Sequence, residues 1–191
     1  INGFKYKKNL IIDAKNSGTL GRLILGLLIK SPQKIRIIGD KSLSKRDFSR
    51  VAIPLGKFGV KFSYKIKNKL PLTIIGTQSA EGIKYLENKG SAQCKSSIML
   101  AALNASGTTS IKAKKSRNHT ELLFKYLKIP IKVRKTKKFD FIDIKKPKKI
   151  NAFNYQIPGD ISSSAFFMVL TTLTDNSKLL IKNVNINPSR V

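Results

Sequence analysis

The residues best suited to chemistry in this sequence are small polar ones placed where a turn runs into an apolar segment. Asn16-Ser17-Gly18-Thr19 precedes residues 20–28, Gly90-Ser91-Ala92-Gln93 precedes 97–103, and Gly159-Asp160-Ile161-Ser162 precedes 165–173. Each reads as a tight turn feeding a helix N-terminus, where unpaired backbone N–H groups and the helix dipole favour a bound anion. One such start is only an N-cap. Three in similar settings point to a repeated unit and a shared anionic ligand. Arg22, one turn into the first helix, either pairs with a carboxylate or helps to hold an anion. Arg46 ends the polar loop from Gly39 to Arg46, at the open end of a sheet, where a guanidinium binds phosphate or carboxylate through two N–H groups. In that loop Asp40 and Ser44 are capping candidates.

Other chemistries find little support. There is no GxxxxGK[ST] spacing, so no nucleotide cradle is expected. His119 is the single histidine; with no second ligand at metal spacing and no carboxylate to orient it, neither a metal site nor a lone general base is expected. Cys94 is the single cysteine, which excludes an internal disulfide and a Cys-based zinc site and fits a reducing cytoplasm. Its expected state is inert. No Ser/His/Asp arrangement can be assembled. Residues 116–121, Ser-Arg-Asn-His-Thr-Glu, read as a capping box, with Ser116 or Thr120 leading and Glu121 reaching back.

The elements that must position these residues alternate between strand and helix patterns. Residues 8–13 and 34–38 read as short strands on either side of the first helix. A helical pattern over 48–58 ends at Gly59, a natural C′ residue. Residues 60–66 alternate, and 70–75 form a short apolar run. The helix over 91–103 is followed by a strand at 109–112, a helix over 119–127, and alternating segments at 131–135 and 139–144. Residues 150–157 are extended, and the third helix leads to a strand over 179–184. Gly90 and Gly159 lie 69 positions apart, and both helix starts reach the next strand after 20 residues (Ser91 to Ile111, Asp160 to Leu180). A period near 70 is too long for a small solenoid and fits copies of a folded α/β subunit.

Composition sets outer limits. A chain of 191 residues, 41% hydrophobic, can bury one substantial core or two modest ones. No apolar run approaches the roughly 20 residues of a membrane span, so no membrane partner is expected. Residue 1 reads as a point inside a longer reading frame, since Ile1-Asn2-Gly3 carries neither an initiator Met nor a secretory signal. The net charge of +28 comes from 38 basic residues, of which seven are Arg. Nucleic-acid readers place Arg at their base contacts. Here lysines are spread beside many Ile and Asn residues, which reads as codon bias more than as a designed interface. The field still attracts small anions.

Taken together, the blocks resemble the 5-enolpyruvylshikimate-3-phosphate synthase family. The matching pieces are 13–19 (Asp-Ala-Lys-Asn-Ser-Gly-Thr) with Arg22-Leu23, 39–43 with Arg46, and 90–96 leading to 100–103. They continue with 116–121, 159–163 with 165–167, and Asn187-Pro188-Ser189-Arg190, in the family's order over nearly the whole chain. The resemblance implies an α/β fold of repeated βαβαββ-type subunits, the two-domain enolpyruvyl transferase (inside-out α/β barrel) architecture, here incomplete. Residues 1–155 would be the second and third subunits of one substrate-binding domain and 156–191 the start of the other, with the crossover near 154–158.

The activity implied is transfer of the enolpyruvyl group of phosphoenolpyruvate to the 5-hydroxyl of shikimate 3-phosphate, with release of phosphate and no metal or organic cofactor. By position, Asn16, Gly18, Arg46 and Gln93 would bind phosphoenolpyruvate. Ser91, Ala92, Gln93, Ser116 and Arg117 would bind shikimate 3-phosphate, and Asp160 with Ser162 would cap a helix. The family's catalytic Asp, Glu and Lys are expected outside these residues, so the chain alone is expected to be inactive but to bind shikimate 3-phosphate weakly. The full-length enzyme is expected to be monomeric and cytoplasmic.

Three positions depart from the family pattern. Lys15 stands where Gly is usual, Asp47 where Pro is usual, and Asn118 where Asp is usual; Asp47 is expected to pair with Arg46 and dull its affinity for anions. Two rivals remain. The sister enzyme acting on UDP-N-acetylglucosamine would carry a reactive cysteine within 39–46, and none is there. A basic nucleic-acid-binding module would need clustered Arg and exposed aromatic rings beside basic residues, whereas Tyr85 and Phe139 read as scattered, so no specific nucleic-acid partner is expected.

Overall fold

The computed structural model describes residues 10–189. The expected strand at 8–13 and the Arg190 of the last block lie partly outside that range. Of the described residues, those up to Ile150 form one compact unit and those from Asn151 another.

Within the first unit the chain traces βαβαββ twice. The first repeat comprises β1 (Leu10–Asp13), α1 (Gly18–Leu27), β2 (Lys34–Ile38), α2 (Ser49–Gly56), β3 (Lys61–Tyr64) and β4 (Leu72–Ile75). Its sheet runs β1-β2-β4-β3, with β1 and β2 parallel and the other pairs antiparallel. The second repeat comprises β5 (Lys84–Glu87), α3 (Ala92–Ala102), β6 (Thr108–Lys114), α4 (His119–Tyr126), β7 (Ile131–Lys135) and β8 (Phe139–Lys145). Its sheet runs β5-β6-β8-β7 with the same pattern of directions. A parallel pair needs a crossover helix, and α1 and α3 supply it.

Those two crossover helices meet in the core. A Cβ added to Gly26 of α1 would lie 2.1 Å from the Ser97 carbonyl oxygen of α3, so only a bare backbone fits there. The Ser97 hydroxyl donates to the Arg22 carbonyl oxygen at 2.9 Å, tying the helices at that crossing. Buried residues occupy every side of α3, from Cys94 to Ala102, as expected of a helix enclosed by protein. Ile35 and Ile37 of β2 and Leu72 and Ile74 of β4 turn one face of the first sheet inward, and Ile111, Ile142 and Ile144 do so in the second. Alternation along each strand places the lysines on the other face.

Three expectations are corrected. Residues 84–87 form β5, a strand that the apolar pattern did not indicate. Residues 179–184 form no strand among the described residues; one bridge between Gly159 and Val184 is all the pairing they find, and a strand pattern without a neighbouring strand gives no ladder. The helix expected over 48–58 is shorter. It ends at Gly56, and Gly59 at φ +92° closes the turn that follows.

In the second unit α5 (Ile161–Thr172) begins at Asp160, whose carboxylate accepts from the Ser162 N–H at 3.1 Å. No residue of α5 is buried, and Phe166 is 80% exposed.

Candidate anion-binding site

The chemistry gathers at the C-terminal ends of the parallel strand pairs, the edge where open α/β sheets bind ligands. After β1 the chain turns sharply. Lys15 adopts a left-handed conformation at φ 49°, which explains why a glycine suits that position. Its N–H is held by Asp13 at 2.8 Å, and its carbonyl accepts from the Asp40 N–H at 2.8 Å. Ser17 then caps α1 by accepting from the Leu20 N–H at 3.1 Å. The Asn16 amide donates to Asp40 at 2.6 Å, which ties the α1 turn to the loop after β2. That loop is shaped by Asp40 itself, which accepts from the Leu43 N–H at 2.7 Å. These bonds to the charged form hold the Asp40 carboxyl below its ordinary range.

Gly18 faces two guanidinium groups. A Cβ built there would lie 2.9 Å from Arg22 Nη1 and 3.1 Å from Arg46 Nη1. Arg22 is half-buried and stacks its guanidinium on the Phe48 ring at 5.2 Å. Burial, and the neighbouring charges of Arg46 and Arg50, lower its pKa from the usual value. Like charges crowded at a helix N-terminus raise the local potential for an anion. Arg46 is exposed and forms no ion pair among the described residues. The expected pairing with Asp47 does not occur. The Asp47 carboxylate instead accepts from the Ser49 N–H at 2.7 Å and the Ser49 hydroxyl at 2.6 Å, which holds its pKa low.

The second repeat supplies the other half. Ser91 caps α3, accepting from the Cys94 N–H at 3.3 Å, and its own N–H donates to the buried Glu87 at 2.9 Å. Gln93 joins the repeats: its carbonyl oxygen accepts from Arg22 at 2.9 Å and its amide donates to Thr19 at 2.8 Å. Beside it is a cavity of about 210 Å³ walled by Thr19, Leu23, Ala92, Gln93, Ser96, Arg117, His119 and Thr120. Thr19, Ala92 and His119 stand at the starts of α1, α3 and α4, so three helix N-termini border one space. Arg117 is exposed and without an ion pair among the described residues. The Ser116 hydroxyl oxygen is buried with no hydrogen-bond partner, a group that needs one.

The structure therefore brings Gly18, Arg46 and Gln93 around Arg22, with Asn16 tied alongside, and Ala92, Gln93 and Arg117 around the cavity. Ser91 lies outside the cavity wall, with its side chain engaged in capping. The expected capping box at α4 is absent. Asn118 precedes the helix without a side-chain cap, Glu121 pairs with Lys95 instead, and Thr120 bonds Ser96. Cys94 is buried. Sequence reasoning missed the Arg22–Gln93 bond and the Lys95–Glu121 pair. A lone cation amid the small and apolar residues of 94–102 is the signal that points to the latter.

A larger hollow, about 700 Å³, opens on the second sheet beside Lys57, Lys84, Lys112, Lys132 and Arg134. No helix N-terminus contributes to its walls. Tyr85 and Phe141 are its aromatic walls; Lys112 lies 4.7 Å over the Phe139 ring and Arg134 4.2 Å over the Phe141 ring.

Comparison with known proteins gives the family. The family model for EPSP synthase (3-phosphoshikimate 1-carboxyvinyltransferase) matches residues 1–191. The chain belongs to the EPSP synthase family. It is 42% identical over 185 residues to the 3-phosphoshikimate 1-carboxyvinyltransferase of Thermoanaerobacter sp. (strain X514), covering 96% of this chain and 43% of that protein. Identity to the Bacillus subtilis (strain 168) enzyme of the same name is 38% over 182 residues, covering 94% and 41%. The solved EPSP synthase of Acinetobacter baumannii superposes with a TM-score of 0.77 at 35% identity, over 94% of this chain and 40% of that one. The chain thus spans about two-fifths of the length of these EPSP synthases, and its two sheets and crossover helices form part of the enolpyruvyl transferase fold.

Proposed function

We propose that this chain forms part of the substrate-binding wall of an EPSP synthase, which joins phosphoenolpyruvate to the 5-hydroxyl of shikimate 3-phosphate. Three helix N-termini around a cavity, with Arg46 and Arg117 in no ion pair among the described residues, carry the reading. Phosphoenolpyruvate bears a phosphate and a carboxylate, and the Gly18–Arg22–Arg46 corner offers it two guanidinium groups with no side chain between them. Shikimate 3-phosphate would take the cavity, held by the Ala92 N–H and Arg117, with Ser91 and Ser116 next to its wall in sequence and Gln93 touching both substrates.

In the reaction, the C5 hydroxyl gives up its proton as its oxygen adds to C2 of phosphoenolpyruvate, and C3 gains a proton. Loss of a C3 proton then expels inorganic phosphate and restores the double bond. This chain's part is to bind, orient and neutralise the two anions. The groups that move protons are assigned to the remainder of the longer protein, with residues 1–155 in one domain and 156–191 opening the other. A monomeric, cytoplasmic full-length enzyme belongs to the same reading. Titrating shikimate 3-phosphate into the folded chain should shift the amide resonances of Ser91–Gln93 and Ser116–Arg117 without turnover. A folded sample in which those amides stay still refutes the site assignment.

For nucleic acid we propose electrostatic binding only. Lys112 and Arg134 already cover the Phe139 and Phe141 rings, so bases would have to displace them to stack. Affinity for a single-stranded oligonucleotide should fall steeply with added salt and show no sequence preference. Retention at high salt would favour a dedicated platform instead.

A further inference from the structure

One buried charge pair has no part in gripping substrate. Lys95 and Glu121 meet at 2.5 Å, with their side chains 0% and 5% exposed. Lys95 sits in the first turn of α3, two positions after Gln93, and Glu121 in the first turn of α4, four positions after Arg117. Beside them Ser96 and Thr120 share a hydrogen bond at 2.7 Å. Two adjacent rungs therefore tie the start of one helix to the start of the other, across residues 24 to 26 positions apart in sequence.

A buried ion pair is a poor device for stability alone, because desolvation of both ions offsets their attraction and an apolar pair of similar volume packs as well. Its particular property is geometric. It tolerates little change in separation, since opening it leaves a buried charge without a partner. Neither Lys95 nor Glu121 borders the cavity, so neither acts on a bound ligand directly. What the pair governs is the spacing between the α3 N-terminus, with Ala92 and Gln93, and the segment that carries Ser116 and Arg117.

We propose that Lys95 and Glu121, with Ser96 and Thr120 beside them, form a positioning latch that holds the α3 and α4 N-termini at the separation a phosphorylated ligand requires. The proposal rests on the substrate-binding reading above. The test uses the 191-residue chain carrying Lys95→Met with Glu121→Leu, which removes both charges and keeps the volume. Thermal unfolding should stay near that of the parent. Shikimate 3-phosphate should bind at least about tenfold more weakly by calorimetry, and the ligand-free amide resonances of Ala92, Gln93 and Arg117 should move.

Unchanged affinity in a folded variant overturns the latch, because a purely structural pair would alter unfolding and leave binding intact. Should that variant fail to fold, Lys95→Met with Glu121→Gln keeps the shape at residue 121, strands no charge and changes no residue of the cavity wall, and the same outcomes decide. If the folded parent itself binds no shikimate 3-phosphate, the functional reading fails. The latch is then decided by the ligand-free resonances: movement confined to the immediate neighbours of the substituted residues refutes it.

Discussion

Asp13 and Glu87 end the first strands of the two βαβαββ repeats, 74 positions apart, and they hold different things. Asp13 is at the surface and reaches only Lys15, through its N–H and its ammonium group. Glu87 is buried, accepts from the N–H groups of Lys89 and Ser91, and lies 3.7 Å from Arg50 of the other repeat. The helices that follow diverge in the same sense. Gly18 leaves α1 bare so that Arg22 and Arg46 can approach its first turn, whereas Gln93 of α3 reaches across to Arg22. The loops leading to the second helices differ too. The one after β2 is long and carries Asp40 and Arg46, while the one after β6 is short and carries Ser116 and Arg117. One topology thus presents two arrangements: a guanidinium corner in the first repeat, and a cavity that the helix starts of the second share with α1.

The comparison breaks most completely at the point where the repeats touch. Gly26→Val would place a branched side chain into the Ser97 carbonyl, 2.1 Å from where its Cβ must sit. Helix backbones cannot separate there without opening both cores, so a loss of at least about 3 kcal/mol is expected. Urea unfolding should show a large fall in midpoint, or no folded protein. A midpoint near that of the parent would mean that the two helices do not cross at Gly26.

A smaller and more selective effect is expected at Gly18. In Gly18→Ala the new methyl touches Leu43 at an ordinary 3.6 Å and otherwise meets only the tips of Arg22 and Arg46, so stability should change little. The guanidinium groups must part, however, and phosphoenolpyruvate binding should weaken about tenfold, by the loss of one charge-assisted contact. Shikimate 3-phosphate affinity, which the proposed site assigns mainly to the second repeat, should hold. Equal weakening of both ligands, measured by calorimetry on the same sample, would erase the division of labour between the repeats.

How much of this was legible in the sequence follows the range of the interactions. Helix starts are local: Ser17, Ser91 and Asp160 each accept from an N–H within three residues, and the apolar segments after them became α1, α3 and α5. The repeat also showed, because it rests on the spacing of those starts. Strand β5 did not. Lys-Tyr-Leu-Glu is too short to display a period, and it is a strand because β6 lies parallel beside it. Residues 179–184 show the reverse, a strand pattern with one bridging contact. At the site, Arg46, Gln93 and Arg117 were reachable through local motifs and family resemblance. The Arg22–Gln93 bond spans 71 positions and left no local trace. Glu121 misled for a related reason, since a residue placed like a capping-box acid went to Lys95 of another helix.

The smallest expected effect tests whether the turns into α1 and α3 are the same device in different residues. Both need a left-handed residue, which is Lys15 at φ 49° in the first repeat and Gly90 at φ 70° in the second. Gly90→Ala puts a Cβ into that conformation 3.4 Å from the Lys115 carbonyl oxygen, and about 1 kcal/mol of destabilisation follows from the backbone alone. Lys15→Gly relieves the corresponding strain and gives up the Asp13–Lys15 ion pair, which lies at the surface and contributes little once salt screens it. The unfolding temperature of Lys15→Gly should therefore rise by no more than about 2–4 °C, and by more in high salt than in low. A fall in both conditions would mean that Lys15 is held by something other than backbone geometry, and that the two turns only look alike.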